Sequence, residues 1–342
     1  MGCGGIGGTV AAHLFEMGES VSAVTTNRDI HDAIAARGSS LRGDGGPRTV
    51  RGETCLGVPA GPFDVVLLAT QPPQVEAAAR AALPALASDG VMVCLQNGLC
   101  ETKVAAIAGA ERTVGAVVGW GAAMPEPGVY DRTASGGFTL GRMDGQTDPR
   151  LDELARALEP IGPCEITTNL AGKRWSKLAI NCAISSLGTI GGDRLGVLLQ
   201  RRFVRRLALE IMTEVVVVAR KENVRLEKVS GTIDLDWIAL GEEERRMAGS
   251  PALLAKHSLL LAVGFRFRRM RSSMLSAIER GRPPAVDFLN GEITDRAKRY
   301  GVPAPMNALV RDRVWKIARG KETPGLSTLK RLFDETRAQM EG

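Results

Sequence analysis

The run Gly2-Cys3-Gly4-Gly5-Ile6-Gly7-Gly8, at the head of the chain, restricts what can follow it. Gly2, Gly4 and Gly7 fill a G-x-G-x-x-G pattern. In a dinucleotide-binding βαβ unit the first glycine permits a tight turn, the second lets backbone approach a pyrophosphate, and the third lets helix pack closely on sheet. The helix that follows would offer free N–H groups and the positive end of its dipole to phosphates. Alone the match is weak, because the chain holds 40 glycines. The pattern should also follow a buried strand, and only Met1 stands before it. The expectation is a Rossmann-like sheet whose first strand is truncated, with upstream codons encoding the missing residues.

At 342 residues the chain has length for two domains with real cores. A content of 44% hydrophobic and 24% charged residues suits a soluble globular protein. No run approaches the roughly 20 apolar residues that cross a bilayer, and the N-terminus has no signal-peptide pattern. The six cysteines are scattered without a C-x-x-C pair, which reads as reduced thiols in a cytoplasmic protein. The net charge of +6 draws on arginine clusters at 201–206 and 266–271. Carboxylates accompany them in helical patterns and only Phe265 and Phe267 interleave, so solvated helix faces or a mouth for an anionic substrate outweigh a nucleic-acid or membrane surface.

The first half alternates strand and helix signals. Ser20–Thr25 reads as a short strand, followed by a helix from an Asp29 cap to Arg37, closed by Gly38. Weak hairpin-like runs surround Val50 and Cys55. Asp64–Thr70 is an apolar run expected to be buried on both faces, Pro73 opens a helix to about Leu86, and Val91–Gln96 is the next strand. Such alternation predicts a doubly wound parallel sheet. Thr113–Leu140 suits an antiparallel extension of that sheet, Asp148 starts a helix to about Leu158, and Cys164–Thr167 is a last strand. Beyond Leu170 helical periodicity covers Lys173–Leu187, Arg202–Lys221, Pro251–Arg280, Val286–Tyr300 and Pro305–Arg319, with a closing helix after Gly325. The expected fold is therefore α/β: a Rossmann-like parallel-sheet domain over 1–168, followed by an all-helical C-terminal domain over 169–342.

Ligands of such sheets bind at the C-terminal ends of the parallel strands. There lie the glycine loop, Thr25–Arg28 and Asn97-Gly98. The second strand ends without the acid that usually bonds the ribose of NAD. Its Thr25-Thr26-Asn27-Arg28 instead suits the extra phosphate of NADP(H), with Arg28 as its contact. In the helical half, Lys177, Asn181 and Ser185 are spaced i, i+4, i+8 and share one helix face. A lysine, an amide and a hydroxyl beside Leu178, Ile180 and Ile184 suit a polar cleft better than a core. A lysine snorkelling at the surface is the plainer alternative.

The chain resembles the ketopantoate reductase (2-dehydropantoate 2-reductase) family. The resemblance rests on G-C-G-G-I-G at Gly2–Gly7, Q-N-G at Gln96–Gly98, E-P-G at Glu126–Gly128 and W-S-K-L-A-I-N at Trp175–Asn181. It continues through S-S-M-L at Ser272–Leu275, R-G-R-P-P-A-V-D-F-L-N-G at Arg280–Gly291 and G-V-P-A-P at Gly301–Pro305. The region 229–257 matches least. The resemblance implies NADPH-dependent reduction of a 2-oxo acid to a 2-hydroxy acid, with Lys177 as the proton donor to the ketone oxygen. It implies cofactor contacts from Gly2, Cys3, Gly4, Gly5, Ile6, Gly7, Asn97 and the Ala122 backbone. Substrate contacts would come from Asn97, Asn181, Ser185 and Ser273, and Asp287 and Asn290 would be structural supports. His13, His31 and His257 lie outside these motifs, and no metal site is expected. Departures fall at Ala285, where relatives carry an acid, at Ser185 in place of an asparagine, and at Gln71 in place of a frequent lysine. They suit a 2-oxo acid other than ketopantoate, or an imine; the alternative of another class is a non-catalytic NADP(H)-binding regulator. A helical second domain is a common place for a homodimer contact.

Overall fold

Alternating burial along two neighbouring strands builds the core of the N-terminal half. Val91, Val93 and Leu95 point to one side of the sheet and Met92 and Cys94 to the other, the period of two that a pleated strand imposes. The computed structural model describes residues 1–43, 45–228, 233–246 and 249–341. The chain divides into two compact units, Met1–Leu170 and Ala171–Gly342. The weakly matching stretch 229–257 lies partly outside the described residues.

In the first unit the order is α1 (Gly5–Glu16), β1 (Ala23–Val24), α2 (Arg28–Arg37), β2 (Ser39–Arg42), β3 (Arg48–Val50), β4 (Thr54–Cys55), β5 (Phe63–Leu68) and α3 (Val75–Ala82). It continues with β6 (Leu86–Cys94), α4 (Glu101–Ala108), β7 (Thr113–Val118), β8 (Gly121–Ala123), β9 (Val129–Ala134), β10 (Phe138–Arg142), α5 (Pro149–Leu158) and β11 (Cys164–Ile166). A five-stranded sheet runs β11-β10-β7-β6-β5, in which β5, β6 and β7 are parallel and β10 is antiparallel to β7. β1 pairs in parallel with β4. Between β5 and β1 sits the head of the chain: the Met1 amine donates to the Leu67 carbonyl at 2.6 Å, Ala69 N–H donates to Met1 at 2.8 Å, and Gly2 N–H donates to Val24 at 2.8 Å. One face of the large sheet packs on Val10 and Leu14 of α1 and on Leu151, Leu154 and Leu158 of α5; the other packs on α3 and α4.

Several sequence expectations need correction. Asn27, not Asp29, caps α2, its Oδ1 accepting from Ile30 N–H at 3.1 Å. The runs near Val50 and Cys55 do not pair with each other, because β3 joins β2 and β4 joins β1. The strand β2 carried no apolar run to announce it. Of the Thr113–Leu140 segments, β8 and β9 leave the main sheet for a second one ordered β3-β2-β9-β8. Nor is β5 buried on both faces throughout: Met1 pairs only near its end, and Val65, lower on the strand, is 38% exposed.

The second unit contains α6 (Leu170–Gly191, beginning at the division), α7 (Leu195–Leu199), α8 (Arg202–Lys221), α9 (Leu235–Ile238), α10 (Glu242–Arg246) and α11 (Pro251–Arg266). Then come α12 (Ser273–Glu279), α13 (Asn290–Arg299), α14 (Pro305–Ala318) and α15 (Leu326–Glu341). The described residues beyond α6 hold no strand. Helix α8 is buried on nearly every side from Leu207 to Ala219 and packs against α7, α9, α11, α13, α14 and α15. The span expected as one helix from Pro251 to Arg280 is two, because the chain turns after Phe267 and Ser272 caps α12 by accepting from Leu275 N–H at 3.3 Å. No glycine or proline marks that break.

A buried polar chain ties these helices together. Ser186 on α6 donates to Asn290 Oδ1 at 2.6 Å, and Asn290 Nδ2 donates to the Cys182 carbonyl at 3.2 Å and to Asn307 Oδ1 at 2.9 Å. The Glu214 carboxylate on α8 accepts from Met306 N–H, Asn307 N–H and Asn307 Nδ2 at 2.7 to 2.8 Å. Burial pushes the Glu214 carboxyl up to about 7, against these donors, which favour the charged form. A raised carboxyl contributes stability that is complete below its unfolded value near 4.5 and is lost as pH rises through about 7. Glu214→Gln turns an amide NH₂ toward at least one facing donor and should destabilise the fold by about 1–3 kcal/mol. Thermal melts from mildly acidic to mildly basic pH should show that deficit shrinking as pH rises; a deficit that grows would contradict the assignment.

Candidate active site

The glycine loop is shaped by what presses on it. Gly2 has φ +93°, and a Cβ there would come within 2.9 Å of the Ala69 and Thr70 backbone. A Cβ on Gly7 would stand 1.9 Å from the Gly2 carbonyl oxygen, so helix α1 can start only this close to the loop without one. Above Gly4 a Cβ would meet nothing within 4 Å. Gly4 is the N-cap of α1 and has no side chain to offer, so the first-turn N–H groups receive no side-chain cap. Open space over uncapped amides fits a pyrophosphate. Gly5 lies against Ala122 of β8, whose carbonyl oxygen would be 2.5 Å from a Cβ on Gly5. Cys3 is buried, its thiol donating to Val24 at 3.6 Å, and burial pushes that thiol up. It points into the core, while its backbone stays in the loop.

Tyr130 of β9 is a residue that the sequence reading missed. It is fully buried, and its hydroxyl donates to the Cys3 carbonyl at 3.1 Å. Burial also raises its phenol well above the usual range. Its ring fills the space beside Gly8, where a Cβ would fall 2.0 Å from the ring. The available signal was slight: one of two tyrosines in the chain, standing in a β-rich run.

At the neighbouring strand ends, Thr25 is buried and its hydroxyl accepts from Asn27 N–H at 3.2 Å. Arg28, the first residue of α2, is exposed and forms no ion pair among the described residues. Asn97 is exposed just beyond β6, in a turn where Gly98 has φ +90°. Gln96 ties this turn to the end of β5 by donating to Thr70 at 3.3 Å.

In the helical unit, Lys177, Ile180, Asn181, Ile184 and Ser185 form a half-exposed face of α6, while Leu178, Ala179, Cys182 and Ala183 are buried. The i, i+4 spacing thus brings Lys177, Asn181 and Ser185 onto one accessible stripe. The buried side of α6 is fixed by Asn290 on Cys182 and Ser186, and by Ser272, whose hydroxyl donates to the Ser185 carbonyl at 2.8 Å and pairs with Thr189 at 2.8 Å. Ser272 faces inward and Ser273 is exposed, so the serine pair divides its work. That inward role of Ser272 was also missed, although a serine before a short apolar helix is a cap signal. Asp287 turns to Arg311 at 2.6 Å and Trp315 at 3.1 Å, joining the short 3₁₀ turn at 285–288 to α14. Ala285, half-buried, brings no polar group to that turn.

Part of each arginine cluster is engaged in structure. Arg205 donates to the Leu199 and Gln200 carbonyls, Arg206 pairs with Glu210 at 2.7 Å, and Arg271 pairs with Glu279 at 2.5 Å. Among the described residues no helix is long and apolar enough to cross a membrane. No group of three or more metal-ligating side chains is found among them.

Tyr130→Phe removes one hydrogen bond and keeps the ring, so it should destabilise the protein by about 1 kcal/mol. If the bond holds the loop, dinucleotide affinity falls about fivefold, the same energy seen in binding. Titration of the dinucleotide into both proteins checks this; unchanged affinity would leave Tyr130 as packing alone.

The profile of the family "ketopantoate reductase PanE/ApbA" matches residues 1–145, and that of its C-terminal region matches residues 169–318. The 2-dehydropantoate 2-reductase of Pyrococcus horikoshii is 25% identical over 327 residues, covering 95% of this chain and 97% of that protein. A crystal structure of a PanE/ApbA family ketopantoate reductase from Ralstonia eutropha JMP134 aligns with a TM-score of 0.76 at 25% identity, over 94% of this chain and 98% of the other. A D-mandelate dehydrogenase in a ternary structure with NADH and anilino(oxo)acetate shares the fold, with a TM-score of 0.80 at 18% identity over 94% and 98%. The glycine loop and the helical motifs thus lie on a shared architecture along nearly the whole chain, which belongs to the PanE/ApbA ketopantoate reductase family of dinucleotide-binding oxidoreductases.

Proposed function

We propose that the protein reduces the ketone of a 2-oxo acid to the 2-hydroxy acid with NADPH, with 2-dehydropantoate as the first candidate substrate. The carrying observation is the accessible Lys177–Asn181–Ser185 stripe on α6, whose other side is pinned by Ser272 and Asn290. Unit 1 acts as the NADP-binding domain and unit 2 as the substrate domain, in a cytoplasmic setting.

Gly2 to Gly7 would hold the pyrophosphate with backbone amides, and the Ala122 backbone would border it. Arg28 would take the additional phosphate of NADPH, since it has no carboxylate partner among the described residues and stands at the start of α2. Bound NADPH supplies a hydride to the ketone carbon. As that carbon is reduced its oxygen gains negative charge, which the Lys177 ammonium holds and then protonates. Asn97 contacts cofactor and substrate. Asn181, Ser185 and Ser273 offer hydrogen bonds that orient the 2-oxo acid.

A second reading keeps the reaction and changes the substrate. Ala285 and Ser185 are small where the resemblance to the family implies longer polar side chains, which leaves room and removes contacts. A different 2-oxo acid or an imine would then be the better substrate.

NADPH oxidation with 2-dehydropantoate and a panel of other 2-oxo acids separates these. Lys177→Ala should lower kcat by about 10²–10⁴-fold with NADPH binding retained. Arg28→Ala should weaken NADPH about tenfold, the scale of one charged contact, and leave NADH unchanged. Turnover of other acids alone would move the assignment to the second reading. Binding of NADPH without turnover of any acid would leave a non-catalytic NADP(H)-binding regulator.

A further inference from the structure

The accessible face of α6 has two flanks of opposite character. Successive residues of a helix turn by about 100°, which puts Asn181 and Ser185 to one side of Lys177 and Ile180 and Ile184 to the other. All five side chains are half-exposed in the full chain. A single isoleucine at a surface needs no explanation. Two of them, one turn apart and bordering a lysine, an amide and a hydroxyl, make an apolar wall beside a polar one.

The polar groups around this face divide into engaged and uncommitted ones. Thr189 and Ser272 both donate to the Ser185 carbonyl at 2.8 Å, and Ser276 donates to the Ser272 carbonyl at 3.3 Å. Ser186 is taken by Asn290 at 2.6 Å. Asn181, Ser185 and Ser273 form no side-chain hydrogen bond among the described residues. Asn181 and Ser185 stand about 6 Å apart along the helix axis, a gap that a carboxylate bridges. Ser273 follows Ser272, which is fixed on the Ser185 carbonyl. With the ketone oxygen at Lys177, these three donors are used on the carboxylate. The 285–288 turn, which runs into Asn290 and so onto the Cys182 carbonyl of α6, adds only the methyl group of Ala285 at its first position.

We propose that the side chain of the 2-oxo acid is a branched hydrocarbon that lies against Ile180 and Ile184, and that Ile184 selects for it. The proposal rests on the reductase reading and separates its two substrates. Carbon 2 of such an acid carries three groups, and the face has a place for each: the Asn181–Ser185 flank for the carboxylate, Lys177 for the ketone oxygen, and the isoleucine flank for the carbon chain. Each methyl group laid on the isoleucines leaves water, which is favourable. A hydroxyl on that chain, as in 2-dehydropantoate, leaves water for an apolar wall and finds no partner on it.

Initial rates of NADPH oxidation by the full chain with trimethylpyruvate, 2-dehydropantoate and pyruvate test this. The first two acids share a carbon skeleton and differ by one hydroxyl, and pyruvate carries a methyl group alone. Trimethylpyruvate should exceed 2-dehydropantoate at least about tenfold in kcat/KM. Ile184→Ala should lower kcat/KM for trimethylpyruvate about tenfold, chiefly through KM, and lower it less for pyruvate. Ile184→Val should keep most of the activity, and titration should show the same NADPH affinity in the wild type and both variants. A higher kcat/KM for 2-dehydropantoate overturns the proposal. So does an Ile184→Ala loss that is equal for trimethylpyruvate and pyruvate. No turnover of any of the three acids by protein that binds NADPH refutes the reductase reading itself, and the proposal with it.

Discussion

The first turn of α1 depends on an absence of side-chain volume. Gly7 abuts the Gly2 carbonyl and Gly8 abuts the Tyr130 ring, so the helix can begin beside the sheet only if neither carries a Cβ. The same packing leaves the amides beside Gly4 facing open space. Tyr130 enforces it from β9 of the second sheet, with its ring against Gly8 and its hydroxyl on Cys3. A steric condition in the core thus sets the shape of a surface that suits a phosphate.

In the helical unit, position is set by hydrogen bonds. The chain Ser186–Asn290–Asn307–Glu214 links α6, α13, α14 and α8 through fully buried polar groups. Each member is satisfied by another, the condition under which a buried network specifies one arrangement. Its consequence is felt one residue away: Cys182 and Ser186 are held inward, so Asn181 and Ser185 turn outward beside Lys177. The three-residue stripe therefore owes its outward direction to contacts on the opposite side of the same helix.

Parts of this were legible in the sequence. Arg202–Lys221 could be bounded to the residue, since apolar positions recur on every side of it between charged ends. The i, i+4, i+8 spacing of Lys177, Asn181 and Ser185 needed only helix geometry. What escaped were features set by partners distant in sequence. The division between α11 and α12 lets Ser272 reach the Ser185 carbonyl, 87 positions away, a contact that local propensity does not reveal. Tyr130 acts on Cys3 across 127 positions. Asp29 drew the cap assignment because its type fits, yet Asn27 has the geometry. Along α11 the apolar residues marked a helix without saying which side faces solvent, because Lys256 and His257 are the ones turned inward.

In the reaction proposed for this protein, a hydride passes from the dinucleotide to the carbonyl carbon of a 2-oxo acid and Lys177 supplies the proton. A single-turnover reaction with NADPH deuterated at the transferring position, followed by mass analysis of the product, tests it most directly. The predicted result is a 2-hydroxy acid with deuterium on carbon 2, formed about 10²–10⁴-fold more slowly by Lys177→Ala than by the wild type, while both bind NADPH equally. Deuterated product formed equally well by Lys177→Ala would contradict the role of the lysine. Cofactor bound but never oxidised by any 2-oxo acid would contradict the reductase itself.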